Sequence, residues 1–94
     1  MANGEIQLTV SGTVSDIAND TLIPNSTIII FQSGKELTRI TNSDGNYSAT
    51  VTVKKGEVQL TYLAEGYLSG IKSVPIDDNT TPLSRTRTIK LTKL

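Results

Sequence analysis

The side chains that could do chemistry here are mostly oxygen donors. The run Asn42-Ser43-Asp44-Gly45-Asn46 places four such side chains around a glycine, which is the raw material of a calcium loop. The calcium pattern D-x-[DN]-x-[DN]-G-x5-E is not met. Asn42 stands where the middle ligand would be, an amide the pattern allows, but no acid follows at the required distance. Asp16, Asp20, Asp77 and Asp78 are the remaining candidates for a cation site, if the fold gathers them at one end. Loop aspartates that close Asx turns are the plainer reading. The expectation is no metal and no cofactor.

Catalysis fares no better. The chain has no histidine and no cysteine, so the usual general base and the commonest activated nucleophile are both missing. A Ser–Lys pair or a carboxylate dyad remains. Asp77 and Asp78 are adjacent, however, and on a strand they would face opposite ways. The chain reads as a non-enzyme. Without cysteine it has no disulfide framework either. The 94 residues carry zero formal net charge, and the basic residues are scattered, with Arg85 and Arg87 near Lys90 and Lys93. Neither nucleic acid nor an anionic membrane is an expected partner. Asn19, Asn25, Asn46 and Asn79 each open an N-x-S/T acceptor sequence, here read as turn chemistry. For sugar stacking the aromatic candidates are Phe31, Tyr47, Tyr62 and Tyr67. Tyr47 and Tyr62 fall on apolar strand faces and are assigned to the core. Tyr67 follows Gly66 in a loop and is expected to lean across one end of the fold, its hydroxyl hydrogen-bonded.

The elements that must position these residues are strands. About one residue in seven is threonine, and valine and isoleucine are common; β-branched side chains favour pleated surfaces. Glu5 to Asp16 alternates strictly, with Ile6, Leu8, Val10 and Val14 on one face. Further strands are expected over 26–32, 35–41, 47–54, around Val58–Tyr62, over 71–76 and over 86–94. Pro75 marks an edge or a strand end. The longest apolar run, Ile28 to Phe31, is too short to cross a bilayer as a helix. The opening residues are not expected to be a signal peptide. Met1–Gly4 reads as a polar lead-in, either a native start or the remnant of a cut from a longer chain, and residues 5–94 as a single domain. The expected core is Ile6, Leu8, Val10, Val14, Ile28, Ile30, Tyr47, Val51, Val58, Leu60, Tyr62, Val74, Ile76, Ile89 and Leu91. The expected fold is an all-β, mostly antiparallel sandwich of about seven strands.

Asp44-Gly45 between two β-prone runs is a hairpin signal, because both residues tolerate φ > 0. It reads as a structural turn in one of two registers. A two-residue loop pairs Ile40 with Ala49; a three-residue loop with a bulge at Gly45 pairs Leu37 with Val51. These differ by a slip that flips every side chain.

Four runs in order carry a resemblance: VSGTVSD (10–16), LIPNSTIII (22–30), TNSDGNYSATV (41–51) and KGEVQLTYLAEGY (55–67). Together they resemble the carboxypeptidase regulatory-like domain, a small transthyretin-like sandwich. Asn25-Ser26, and Glu57-Val58 after Gly56, depart from the residues common at those places. The resemblance implies a non-catalytic accessory module of a larger extracytoplasmic protein, in the periplasm or at the cell surface. Such modules ride on secreted peptidases, surface proteins and outer-membrane transporters. The implied partner is a neighbouring domain or another surface protein, with a glycan as the alternative and weak self-association as a further expectation. If Ile28 and Ile30 face the core, as the family pattern implies, Ile29 and Phe31 point to the other side of the sheet. That side is normally polar. Two large apolar residues there need a cover, either the loop 77–83 with Leu83 or a partner (the next domain or a second copy), unless the register is the other one, with Phe31 inside and Ile28 and Ile30 outside.

Overall fold

A computed structural model describes residues 5–41, 45–77 and 82–94. Eight strands occupy the described residues: β1 (Ile6–Asp16), β2 (Thr27–Gln32), β3 (Lys35–Ile40), β4 (Asn46–Val53), β5 (Gly56–Leu63), β6 (Gly70–Ile76), β7 (Leu83–Thr86) and β8 (Ile89–Leu91). They form two sheets. One has the order β4-β1-β7, with β8 also paired to β1; the other runs β3-β2-β5-β6. All pairs are antiparallel except β1 with β7 and with β8. The expected seventh strand is split: β7 and β8 both lie along β1, separated at Arg87-Thr88.

The alternation read from the sequence decides the core. Ile6, Leu8, Val10 and Val14 from the first sheet meet Ile28, Ile30, Val58, Leu60, Tyr62 and Val74 from the second, all essentially inaccessible to water. Ala49, Val53 and Ile23 join them unexpectedly, and Val51 is only half-buried. Val51 lies on β4, an edge strand, where the inner face is incompletely covered. Pro75 falls on β6, also an edge, where its missing N–H disturbs no second ladder.

The hairpin expected at Asp44-Gly45 is not there. β3 and β4 belong to different sheets, so neither register exists. Ala49 pairs with Val10, Val51 pairs with Leu8, and Leu37 pairs with Ile30. The segment after β3 is a crossover between sheets. A buried polar knot holds its first residue. Thr41 Oγ1 accepts from Ser26 N (2.8 Å) and donates to Ile23 O (3.1 Å), and Thr41 N donates to Ser26 O (2.9 Å). Gly45 delivers the chain to the other sheet: its carbonyl accepts from Val14 N of β1 at 3.0 Å. Gly45 takes φ 74°, and an added Cβ would lie 3.1 Å from both Leu22 Cβ and Val14 O. Asp44 lies outside the described residues. The tight hairpin that does form joins β2 to β3 through Ser33 (φ 50°) and Gly34 (φ 84°), with Gln32 opposite Lys35. Positive φ at both turn residues matches the twist of the flanking strands. Gln32 also grips the β4–β5 crossover, accepting from Lys54 N (2.8 Å) and donating to Lys54 O (2.7 Å).

Candidate functional site

The side of the β3-β2-β5-β6 sheet turned away from the core carries the surface that the alternation singles out. Ile28 and Ile30 are buried, so Ile29 and Phe31 face outward. Ile29 is half-buried and Phe31 is 39% exposed. The register brings two further apolar residues to this face. Thr61 lies opposite Ile29 on β5 and opposite Ile71 on β6. Leu63 lies opposite Thr27. Leu63 is 40% exposed and Ile71 61%. Phe31, Ile29, Ile71 and Leu63 thus share one face across three adjacent strands. Glu36, Gln59 and Ser73 complete the row through Phe31. The sequence does not single out Leu63 or Ile71; only the pairing of β5 with both neighbours places them.

Leu83 does not cover this face. It sits on β7 opposite Leu8, in the other sheet, and packs against the core. Residues 78–81 of the suggested covering loop lie outside the described residues.

A second feature is a groove of about 240 Å³ along the open side of the sandwich, between edge strands β3 and β4. Ile30, Leu37, Val51 and Val53 supply its apolar lining, with Lys35 and Glu36 also on its wall.

Two buried polar clusters lie elsewhere in the described residues. Tyr47 Oη donates to Arg87 O at 2.6 Å and lies 2.7 Å from Tyr62 Oη. A phenol has one proton, so Tyr62 donates to Tyr47. Burial raises the pKa of both phenols. Arg87 Nε in turn donates to Ser73 O of the opposite sheet at 3.0 Å. Tyr67 leans across the end of the sandwich and donates to Asp16 Oδ2 at 2.8 Å. Asp16, only 4% exposed, also accepts from Ala18 N at 2.8 Å. The Ala18 N–H, then the Tyr67 hydroxyl, with a smaller part from Lys93, hold its carboxyl below the usual aspartate value. The same bond raises the Tyr67 pKa.

Of the described aspartates, Asp16 and Asp20 lie at one end of the sandwich, with Asp20 N donating to Asp16 O at 2.8 Å, while Asp77 lies away from them. Asp20 pairs with Lys90 at 2.6 Å near the Asp16 end. Asp77 follows Ile76, which lies opposite Gly56 at the other end of the sheet. Asp78 is outside the described residues. Among the described residues no group of three or more metal-ligating side chains forms.

Two sheets in this order around one core define a transthyretin-like β-sandwich. The same fold recurs in solved structures of low identity. Catechol 1,2-dioxygenase from Acinetobacter matches at a TM-score of 0.77 and 13% identity, over 99% of this chain and 54% of that one. 3-Chlorocatechol 1,2-dioxygenase from Rhodococcus opacus matches at 0.75 and 11% identity, over 100% and 63%. The Bacillus anthracis TIE protein matches at 0.69 and 18% identity, over 95% of this chain and 18% of that one. The chain therefore spans about half the length of the first of these dioxygenases. At such identities the likeness speaks for the fold alone. Comparison with curated proteins finds no match. The carboxypeptidase regulatory-like domain family matches residues 9–92. The chain belongs to that family, whose domains are regulatory and non-catalytic.

Proposed function

We propose that this domain is a non-catalytic interaction module of a larger extracytoplasmic protein, and that it docks a neighbouring domain on the outer face of its β3-β2-β5-β6 sheet. The observation that carries the reading is the apolar set Phe31, Ile29, Ile71 and Leu63, three of them well exposed on one face. Exposed apolar side chains that sit together favour a partner, because burying them removes apolar area from water. The extracytoplasmic setting rests on the company that relatives keep: secreted peptidases, surface proteins and outer-membrane transporters.

The test is made on the parent protein, with the domain and its flanking segments intact. NMR relaxation should show the domain tumbling as one body with its neighbour. The pair Ile29→Thr with Phe31→Lys should let it tumble separately while it stays folded. Independent tumbling of the unaltered protein would contradict docking. Concentration-dependent sedimentation that the same pair abolishes would make the occupant a second copy instead.

A second reading has one observation in its favour. Phe31 is the most exposed aromatic of the chain and has Glu36 and Gln59 directly opposite it, a ring beside hydrogen-bonding groups, as a sugar would require. A glycan array separates the two readings. Binding to a defined polysaccharide that Phe31→Ala removes would favour the sugar; silence across the array favours the docked domain.

A further inference from the structure

We propose that this domain is built to bear tension along its chain, with its first and last strands acting as a shear clamp. β1 is the first strand and β8 the last, and they lie side by side and parallel: Val14 opposite Ile89, Ser15 opposite Lys90, Asp16 opposite Leu91. β7 extends the same contact toward the start of β1, from Leu8 opposite Leu83 to Ser11 opposite Thr86. The backbone bond from Arg87 N to Ser11 O (2.8 Å) bridges the break between β7 and β8. Gly12 permits that approach, since a Cβ there would overlap the Arg87 carbonyl.

Parallel pairing fixes how a load is shared. A pull on the start of β1 and on the end of β8 acts along both strands in opposite directions. Ladder hydrogen bonds run across the strands, so this pull strains all of them at once, and rupture needs many to fail together. A pull on the starts of both strands would open the ladder one bond at a time. Forced unfolding is governed by the barrier along the loaded path rather than by equilibrium stability, so the two directions should differ even though the fold is the same.

The exit end is reinforced. Ile17 N donates to Leu91 O (2.9 Å) on the β1 side of the last segment. On its other side Leu68 N donates to Thr92 O (2.8 Å), Leu94 N donates to Gly66 O (2.9 Å), and Tyr67 bridges to Lys93. The Tyr67 hydroxyl ties that loop back to Asp16 at the end of β1. The last strand is thus held between β1 and the 64–68 loop, and these bonds too lie across the line of pull. The inference does not depend on what the outer face of the other sheet binds.

Single-molecule pulling tests it, and the absence of cysteine from the chain lets handles be placed at will. Glu5→Cys with Leu94→Cys loads the clamp in shear. Glu5→Cys with Pro82→Cys loads the same β1–β7 contact from one end, because Gln7 and Pro82 flank the Leu8–Leu83 pair. Marker domains fused to both ends repeat the shear load with no substitution in the domain. At equal pulling speed the shear pair and the fused chain should unfold at a force several-fold above the peeling pair. A shear force equal to or below the peeling force would overturn the proposal.

Discussion

The buried phenols Tyr47 and Tyr62 show how one proton orders a site. Tyr47 spends its hydrogen on Arg87 O, and Tyr62 gives its own to Tyr47. The two are therefore unequal. Tyr47→Phe leaves both the Tyr62 hydroxyl and the Arg87 carbonyl short of a partner and should destabilise by about 1–3 kcal/mol, the range for stranding buried polar groups. Tyr62→Phe leaves the Tyr47–Arg87 bond intact and should lower stability by about 0.5–1.5 kcal/mol, the range for a single hydrogen bond. Urea denaturation of the two variants gives the order, and the reverse order would refute this assignment of the protons. Asp16 offers a second test. Its carboxyl is held below the ordinary aspartate value of 3.8, so the fold gains stability from it above that value. The gain is lost as pH falls through the lower folded-state pKa, because the unfolded chain then binds the proton more readily. Melting temperature followed from neutral pH into acid should fall more steeply in the parent than in Asp16→Asn, which cannot titrate. Parallel curves would place the acid sensitivity elsewhere. The assignment of Tyr47 and Tyr62 to the core, and the lean of Tyr67 across one end, were legible in alternation and in the Gly66 turn. The bonds that order them were not, because each joins residues far apart in sequence.

At the scale of elements, the strands were legible and the sheets were not. Alternation of apolar and polar residues reports which face of a strand is buried, and both faces of a sandwich bury their inner sides alike. Nothing in that pattern says which sheet a strand joins. Asp44-Gly45 therefore reads as a hairpin in sequence, while β3 and β4, on either side of it, belong to different sheets. The information lay in Thr41 and Ser26, two polar residues buried at the crossover, and in the bond from Val14 N to Gly45 O. The true β2–β3 hairpin hides in the plainer Ser33-Gly34. The crossover predicts its own sensitivity. Gly45→Val places a branched side chain at positive φ and against Leu22 and Val14. It should lower stability by roughly 1–3 kcal/mol from backbone strain. Gly34→Ala, at positive φ with open space around it, should lose less. Thermal melts of the two variants compare them directly, and equal losses would remove the packing contribution at Gly45.

For the whole molecule, the division of labour between the two sheets is the main result. One sheet joins the chain's first and last strands. The other turns an apolar face outward. Ile29 and Phe31 were legible as outward-facing residues from the family pattern of the second strand, but the extent of the surface was not, since Leu63 and Ile71 reach it only through the register of β5 and β6. The expected cover from Leu83 fails for the same reason, because that residue belongs to the opposite sheet. Everything proposed for the outer face requires that its apolar residues be spare to the fold. The most direct measurement is the unfolding free energy of the isolated domain carrying Ile29→Thr and Phe31→Lys. If these residues serve a partner, the pair should change stability by no more than about 1 kcal/mol, as surface substitutions do. A loss of about 3 kcal/mol or more, in the range of deletions from a core, would show that the face holds the domain itself together and would contradict the account.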